Sequence, residues 1–452
     1  MTTMSHLNAD SAQKLQKAHG VTGERQKTPY NAAFGMLSAL AIIMIVAGHA
    51  GYDILTVGGL FPYYSFHVPL FLFISGYFYR EEEEERPLPY LKKKVKRLLL
   101  PYFIWNVIYG IAAWALRTFC GFSMGEAVSF KTLFVTPFLN GYQFIYNYAA
   151  WFVPVLFLIE VMNLCMRIVL KKLRLHSEWL ILLGTLAVGM AVVQFAIEGR
   201  VWGFYKTPGR ILFLYPCFQM GQFYKKKLES RDTIGNDAYF AVVLTVQVLL
   251  HLCCNGLAYS SVWCTGFANG PVIPYVTVVS GIAFWLRVAK ILAPLCGESR
   301  SGEAVAQSEE EKRSGEVVAQ SEEEKRSGEA VAQSDKKSRS GLAGTGNPAG
   351  GFFRYLGLNT YAVMMHHVMA FMLVKMVLAG IAAHTGYLAD FDFTRFYGDI
   401  DYYYIVKGGE AFRMVYLAAG VLLPLLLQRG LEVLQSAARC SFPVSGRGGL
   451  PG

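Results

Sequence analysis

Ten stretches of the sequence are almost free of charged residues, and most are long enough to cross a membrane as a helix. The first two form a hairpin: residues 34–52 and 61–79 each hold about twenty mostly apolar residues, the number that a helix needs to cross a bilayer core. Because only residues 53–60 separate them, these two helices are predicted to run antiparallel and side by side. Eight further spans are predicted at 98–119, 148–170, 179–197, 210–224, 238–255, 272–296, 355–383 and 412–427, of which the sixth in chain order is short. The pattern predicts an all-α, polytopic membrane protein with about ten transmembrane helices.

A histidine stands near the connecting loop in each arm of the hairpin. With a rise of about 1.5 Å per residue, His49 lies a few Å from the loop end of the first arm and His67 about one and a half turns inside the second. Ionisable side chains inside a membrane are costly and by default indicate a functional site. Two histidines at matched depth, beside Ser65, Ser75 and Gly76, favour a polar cavity. The alternative is that each histidine only hydrogen-bonds a neighbouring helix.

Lysine and arginine are concentrated in alternate loops. They are frequent in the N-terminal tail, in 80–97, 167–174, 225–231 and 297–354, and in the C-terminal tail, and they are scarce in 53–60, 120–147, 256–270 and 384–410. The positive-inside rule therefore predicts a multi-pass protein with both termini in the cytoplasm and both histidines in the outer half of the membrane. The same loops explain the net charge of +10, so no nucleic-acid partner is expected. Residues 1–30 lack the features of a signal peptide, so the first span is expected to be an uncleaved anchor.

The chain is predicted to divide at a polar linker. Residues 1–30 form a tail, 31–296 hold spans one to eight, 297–350 form the linker, 351–430 hold spans nine and ten, and 431–452 form a second tail. The linker contains a threefold repeat at 301–339, which begins SGEAVAQSEEEKR. A short, charged and aromatic-free unit of this kind cannot bury a core, which predicts disorder.

The eight cysteines do not predict a metal or redox site. No C-x-x-C pair occurs among them, and most lie inside apolar stretches. They are therefore interpreted as small core residues, and no metal cofactor is expected.

Six motifs occur in order along the predicted spans, and together they resemble the acyltransferase 3 family of integral-membrane O-acyltransferases. The resemblance covers nearly all of the membrane part and extends to the penultimate span, which in the family usually ends in a histidine. The motifs are IIMIVAGH at 42–49, SFHVPLFLFISGY at 65–77, KRLLLPY at 96–102, WFVPVLF at 151–157, RILFLYPCFQMG at 210–221 and LGLNTYAVMMHH at 356–367.

The resemblance implies a reaction and a location. It implies transfer of an acyl group, most often acetyl, from a cytoplasmic acyl-CoA such as acetyl-CoA to a hydroxyl of an envelope glycan or glycolipid, at the plasma membrane. The chain is similar to the stand-alone type, without an added extracytoplasmic domain. It departs from the family pattern at Ser38. Ten residues separate this position from the first-span histidine, and relatives commonly carry a basic residue here.

His49 is predicted to be the catalytic residue. O-acylation requires a base to take the proton of the acceptor hydroxyl, and histidine suits this task near neutral pH. An apolar environment favours the neutral imidazole, which is the form that accepts a proton. Alternatively, His49 itself carries the acyl group. His67 is predicted to orient His49, to bind the acceptor or to line the cavity.

Three further residues are predicted to bind substrate, each with a structural alternative. Arg210, at the start of span six, suits an anionic group or the developing oxyanion, although an interfacial arginine also snorkels towards water. Trp151 offers an aromatic face for a sugar ring, although an interfacial tryptophan is more often a belt anchor. His367 lies deeper in span nine, and the alternative is that it is an interhelical hydrogen-bond partner.

A basic run at 92–97 is predicted to lie on the inner side of the membrane. Lys93, Lys96 and Arg97 are candidates for binding the phosphates of acyl-CoA. The alternative is that the run only sets topology and contacts anionic lipid.

Two other functions fit ten membrane spans. A transporter of a glycan precursor or small solute is expected to show inverted repeats and helices broken by glycine or proline in matching halves, and no such symmetry is evident in the sequence. A different membrane acyltransferase, centred on an asparagine and a histidine and acting on lipids or proteins, is disfavoured by the ordered motifs.

Overall fold

A computed structural model describes residues 30–51, 55–124, 126–139, 145–254, 267–296 and 348–441 of the chain. Within these ranges the regular structure is helical, apart from one isolated bridge between Val57 and Leu60. The main helices are α1 (Ala32–His49), α2 (His67–Tyr77), α3 (Pro87–Lys94), α4 (Leu100–Cys120), α5 (Phe152–Lys172), α6 (Glu178–Ile197), α7 (Lys206–Phe223), α8 (Asn236–Cys253), α9 (Ile273–Leu292), α10 (Pro348–Leu358), α11 (Thr360–Thr385), α12 (Phe393–Gly398) and α13 (Arg413–Ser441).

Short helical turns join several of these helices. A π-helical turn at Val95–Leu99 makes α3 and α4 nearly continuous, and a 3₁₀ turn at Ile145–Trp151 leads into α5. The other turns are Tyr63–Ser65, Glu81–Glu84, Lys131–Val135 with Thr136–Leu139, Gly203–Tyr205, Tyr224–Leu228, Glu229–Arg231, Ala293–Cys296 and Glu410–Phe412.

Among the described residues, eight helical segments are long and apolar enough to cross a membrane. They are Ala32–His49, Pro87–Cys120, Tyr146–Lys172, Glu178–Ile197, Asn236–Cys253, Ile273–Cys296, Thr360–Thr385 and Glu410–Ala437. The other two predicted spans correspond to α2, which is shorter, and α7, which is more polar. The prediction of an all-α, polytopic membrane protein is confirmed.

The second predicted span is much shorter than the sequence pattern suggests. Its helix occupies only His67–Tyr77 instead of 61–79. Phe61 has a left-handed backbone, with φ 56°, and Pro62 follows it, so the helix cannot extend back to the loop. His67 is consequently the first residue of α2, and the prediction that it lies one and a half turns inside a helix is wrong.

The last two predicted spans also differ from their predicted bounds. A break at Asn359 divides the ninth into α10 and α11, and the amide of Asn359 donates back to the Tyr355 carbonyl oxygen over 2.9 Å. The tenth predicted span corresponds to α13, which continues to Ser441, well into the predicted tail. The repeat at 301–339 lies outside the described residues.

Helices α1, α2 and α7 are the most enclosed of the described helices. Fourteen of the 18 residues of α1, nine of the 11 residues of α2 and 14 of the 18 residues of α7 are buried. By contrast, α6 buries five of 20 residues and α8 three of 18, so these two present most of their surface outwards. Because protein rather than lipid surrounds α7, it tolerates the buried polar side chains of Lys206, Thr207, Arg210, Gln219 and Gln222.

The backbones of α2 and α7 touch at a reciprocal pair of glycines. A Cβ atom on Gly76 would overlap the carbonyl oxygen of Phe218, and a Cβ atom on Gly221 would overlap that of Phe73. Small residues allow this close approach in membrane proteins, where van der Waals contact drives helix association. The glycines therefore set the spacing of the two central helices.

The helix ends define two opposite ends of the protein. We call the end where α1 finishes and α2 begins the histidine end. The basic end holds the 3₁₀ turn Glu81–Glu84, helix α3, the end of α5 and the lysines that follow α7. Ion pairs tie the basic end together, such as Arg167 with Glu178 over 2.7 Å and Lys226 with both Glu81 and Glu178.

One ion pair of the basic end reaches into the protein interior. The ammonium of Lys94 lies 2.5 Å from a carboxylate oxygen of Glu160, a residue of α5 that is 3% exposed. Lys93, its neighbour, pairs with Glu83 over 3.4 Å, and 37% of the Lys93 side chain remains exposed. The two lysines therefore differ in what they contribute to stability.

Gly221→Ala is expected to destabilise the protein, because the added methyl group must push α2 and α7 apart. Overpacking of this kind costs about 1–3 kcal/mol. The measurement is the melting temperature of the purified protein in detergent. Gly184→Ala is the matched control, since no described atom lies within 4 Å of a Cβ at that helical position. Equal melting temperatures for the two variants would contradict the close contact.

Lys94→Met is expected to lower the free energy of unfolding by roughly 3 kcal/mol, because it leaves the Glu160 carboxylate buried without its cation. Lys93→Met is expected to cost about 1 kcal/mol or less. Denaturant titration of the purified protein measures both. The double variant Lys94→Met/Glu160→Leu removes both charges and is expected to recover most of the lost stability. A loss in the double variant as large as in Lys94→Met would contradict the assignment.

Candidate functional site

A hydrogen bond joins His49 and His367. His49 is the last residue of α1, and its Nδ1 lies 2.7 Å from Nε2 of His367 in α11. The two rings are almost parallel, at 8°, with centroids 4.9 Å apart. His367 is completely buried, whereas His49 is half-buried. The structure thus brings together two predicted site residues that are 318 positions apart in the chain.

The partners of these rings determine which nitrogens carry protons. His367 Nδ1 lies 2.8 Å from the carbonyl oxygen of Val363, which only accepts, so His367 Nδ1–H is the donor. In the neutral ring, His367 Nε2 is then an acceptor, and His49 Nδ1–H donates to it. The lone pair of the neutral His49 ring is consequently on Nε2. This chain of hydrogen bonds leaves His49 Nε2 as the nitrogen that can accept a proton.

His67 is oriented in the same way by a different carbonyl group. Its Nδ1–H donates to the carbonyl oxygen of Tyr63 over 2.6 Å, which leaves Nε2 as the acceptor of the neutral ring. The side chain is 4% exposed. His67 does not bond to His49, but both histidines line one cavity.

The cavity between the histidines is small and mostly apolar. Its volume is about 20 Å³, enough for about one water molecule. The predicted cavity at the two histidines is present, but its lining is mostly apolar, and Ser65, Ser75 and Gly76 do not contribute to it. Ser65 donates to the Pro62 carbonyl oxygen instead, and Gly76 packs on α7. The other lining residues are Ile45, Val68, Phe71, Ala149, Trp151, Phe152 and Met364.

Trp151 lines the cavity, and Arg210 packs on the Trp151 ring. The guanidinium carbon of Arg210 lies 4.3 Å from the centre of the Trp151 ring, a cation–π geometry. Arg210 is 2% exposed and Trp151 is 4% exposed. The arginine therefore does not snorkel to the surface, and the tryptophan lies inside the protein instead of in an interfacial belt.

Ser38 is the buried position at which relatives commonly carry a basic residue. It lies on α1, and its hydroxyl donates to the carbonyl oxygen of Phe34 over 2.7 Å. The hydroxyl is thus occupied within its own helix, and the position supplies no positive charge.

The predicted donor-binding residues lie at the other end of the protein. Lys96 and Arg97 are exposed, and Lys93 is half-exposed beside Glu83. Lys94, close to them in the chain, reaches Glu160, which lies about 13 Å along α5 from Trp151. The structure therefore does not bring the basic run to the histidine cavity.

Several side chains that contact the histidines were not predicted as site residues. The Tyr148 ring lies 5.2 Å from the His49 ring, and the Tyr64 ring lies 5.4 Å from the His67 ring. Tyr109 hydrogen-bonds His366 Nδ1 over 2.7 Å. The available signal was the presence of tyrosines within a few residues of His67 and Trp151. That signal is weak in a chain with 26 tyrosines.

The turn that carries Tyr148, Ala149 and Trp151 is held by asparagines. The amide of Asn147 donates to Asn106 Oδ1 over 3.2 Å, and Asn106 donates to the Leu133 carbonyl oxygen over 2.6 Å. Both asparagines are completely buried. These bonds fix the turn against α4, and thereby fix one side of the cavity.

Comparison with known proteins identifies the family. A family model described as an acyltransferase domain, acyltransferase 3, matches residues 31–306, more than half of the chain. No curated protein matches the chain. No solved structure matches it either. Among the described residues, no group of three or more His, Cys, Asp or Glu side chains is arranged to hold a metal ion. The matched region contains His49, His67, Trp151 and Arg210, and the chain belongs to the acyltransferase 3 family of membrane acyltransferases.

Proposed function

We propose that this membrane acyltransferase moves an acetyl group from cytoplasmic acetyl-CoA to a hydroxyl of an envelope glycan or glycolipid, at the plasma membrane. The observation that carries the proposal is the hydrogen-bond chain from Val363 through His367 to His49. It gives His49 a free Nε2 beside a small cavity. An acyl transfer to a hydroxyl requires a base of this kind.

The reaction follows from the position of the proton acceptor. His49 Nε2 takes the hydroxyl proton as the acceptor oxygen attacks the thioester carbonyl carbon. The positive charge on the imidazole is stabilised because His49 Nδ1–H already donates to His367 Nε2. When the carbon–sulfur bond breaks, the leaving thiolate takes the proton from His49 Nε2, so CoA departs as a thiol and the base is regenerated.

A covalent route uses the same nitrogen. If His49 Nε2 attacked the thioester, CoA would leave before the acceptor hydroxyl took the acyl group. Release of CoA in a burst without acceptor would distinguish this route from direct transfer.

The remaining residues of the site suit supporting roles. His67 Nε2 is an acceptor on the same cavity and can bind the acceptor hydroxyl or a protonated partner. Arg210 places a positive charge on a wall of the site through Trp151, and this charge favours a developing oxyanion. In this proposal both residues bind substrate and neither exchanges the proton.

The cavity dimensions favour a short acyl group. An apolar space of about 20 Å³ accommodates a group of about the size of a methyl, whereas a long acyl chain needs a continuous apolar channel. Ile45, Val68 and Phe71 provide the apolar contact for such a group. This size supports acetyl as the transferred group.

The charge distribution supports cytoplasmic donor binding. By the positive-inside rule, the basic end, and with it both termini, is expected in the cytoplasm. Lys93, Lys96 and Arg97 are exposed or half-exposed there and are available to CoA phosphates. The donor would then have to extend from the basic end towards His49, because the two sites lie at opposite ends of the protein.

His49→Ala is expected to reduce acetyl transfer by about 10²–10⁴-fold, because a general base contributes about this factor. The assay follows labelled acetyl from acetyl-CoA into an envelope glycan fraction in membranes that contain equal amounts of each protein. His67→Ala and Arg210→Ala are expected to act more on substrate affinity. His251→Ala is the matched control, since His251 is an exposed histidine of α8. Near-full activity of His49→Ala would overturn the assignment.

His367→Leu is expected to lower kcat by roughly 10- to 100-fold, because it removes a hydrogen bond that strengthens when His49 becomes charged. KM for each substrate is expected to stay unchanged. His367→Gln retains a carbonyl oxygen that can accept from His49 Nδ1–H, and is expected to recover most of the rate. A merely structural role predicts instead that both variants lose protein yield or melting temperature in parallel, with no recovery of kcat by glutamine.

A further inference from the structure

Tyrosines from two separate segments flank the two cavity histidines, and a third tyrosine, from another segment, approaches the site through Phe371 and His367. Tyr64, in the turn before α2, lies edge-on to His67 and donates to the Gly48 carbonyl oxygen over 3.4 Å. Tyr148, in the turn before α5, lies edge-on to His49. Tyr403 comes from the segment between α12 and α13. Tyr64 is 40% exposed and the other two are half-buried, so all three present surface to the outside of the site.

A buried lysine holds the third segment in place. Helix α11 continues for about 27 Å beyond His367, yet the chain then returns to the level of the site. Lys375, which is 2% exposed, donates to the Ile400 carbonyl oxygen over 2.8 Å, and its ammonium lies 5.1 Å from the Tyr403 ring centre. The Tyr403 ring in turn lies 5.8 Å from Phe371, which lies 5.8 Å from His367.

An exposed carboxylate lies beside these rings. Asp401 stands two residues before Tyr403 and next to Ile400, whose carbonyl oxygen Lys375 holds. Burial raises the pKa of Tyr403 well above its usual value, and Tyr148 and Asp401 raise it further. Asp401 is exposed. Lys375 binds the Ile400 carbonyl oxygen, and Arg413 binds Glu410 and the carbonyl oxygen of Gly51. The segment 386–410, which carries Tyr403 and Asp401, holds five carboxylates and two cations, Arg395 and Lys407. This part of the rim is therefore aromatic and carries a net negative charge.

This combination suits a neutral sugar. Aromatic faces cover the C–H surface of a sugar ring, while a carboxylate accepts hydrogen bonds from its hydroxyls. An anionic saccharide would meet the charge of Asp401. We propose that Tyr64, Tyr148, Tyr403 and Asp401 form the acceptor subsite of this enzyme and that this subsite takes a neutral saccharide. The inference rests on the proposed acyl transfer, since it names the acceptor for His49.

The same sugar chemistry occurs in soluble glycans and in glycolipid headgroups. The experiment therefore uses protein in nanodiscs, prepared without sugar-based detergent, and offers two neutral probes. Maltotriose is added from solution, and diglucosyl diacylglycerol is included in the nanodisc lipid. A disaccharide that contains glucuronic acid is the anionic comparison. Transfer from acetyl-CoA is measured with each, and binding of the two soluble probes without acetyl-CoA is measured by saturation-transfer NMR.

Asp401→Asn is the decisive variant, because it removes one charge from an exposed side chain with little change in shape. It is expected to raise KM for the accepted neutral probe by roughly 10-fold or more, as for loss of a hydrogen bond to a charged group, and to leave KM for acetyl-CoA unchanged. Asp392→Asn is the matched control, an exposed carboxylate of the same segment whose Oδ1 accepts from the Arg395 backbone N–H over 3.0 Å, a bond that asparagine can keep. Tyr403→Leu is expected to weaken acceptor binding as well, with its melting temperature measured in parallel.

The outcomes separate this inference from the proposed function. Transfer by the wild type, with an acceptor KM that neither Asp401→Asn nor Tyr403→Leu changes, would overturn the subsite. Preference of the wild type for the glucuronic acid probe would overturn its neutral character. Donor-free maltotriose binding that Asp401→Asn weakens would support the subsite even if no acetyl transfer were detected, a result that would count against the proposed reaction alone. If these variants weaken transfer to only one of the two neutral probes, the result supports the subsite, and that probe identifies the source of the acceptor.

Discussion

The backbone contact between α2 and α7 is the constraint on which the rest of the structure depends. The two helices meet at Gly76 and Gly221, with no side chain between them at these positions. Because α7 carries buried polar groups, surrounding helices must shield it from lipid. Helix α2 must also approach α7 closely enough to leave few voids between them. This packing sets the position of His67 at the start of α2 and of Arg210 near the start of α7. It therefore places the side of the cavity that α2 supplies, and it places Arg210 behind Trp151.

The hydrogen bond between His49 and His367 makes the two parts of the chain one site. The family match ends at residue 306, before the helix that supplies His367. His49 alone would be a half-buried imidazole at the end of a helix, free to rotate and to bond through either nitrogen. The carbonyl oxygen of Val363 fixes the tautomer of His367, and His367 in turn fixes that of His49. A backbone group in α11 thus decides which nitrogen of His49 carries the proton in the neutral ring.

The separate components of the site were predictable, but their grouping was not. His49, His67, Trp151, Arg210 and His367 were each identifiable as polar or aromatic groups in unusual places. Helical periodicity places a residue on a face of its own helix, and it does not name the helix opposite. For the same reason a run of basic residues cannot distinguish Lys94, which reaches the buried Glu160, from the exposed Lys96. The tyrosines of the rim come from three distant segments, so no local pattern connects them.

The sequence by itself determined the helical class, the membrane location and the positions of most spans. The reason is that a bilayer offers no hydrogen-bond partners to a backbone, so a long apolar stretch that crosses it must form a helix. Only the tertiary structure decided that α2 begins at His67, that α7 is enclosed by protein, and that His367 meets His49. Lipid tails and a protein interior are similarly apolar, and hydropathy therefore does not record which of the two surrounds a helix. The neighbours of each helix follow from packing at particular glycines and from hydrogen bonds between distant residues.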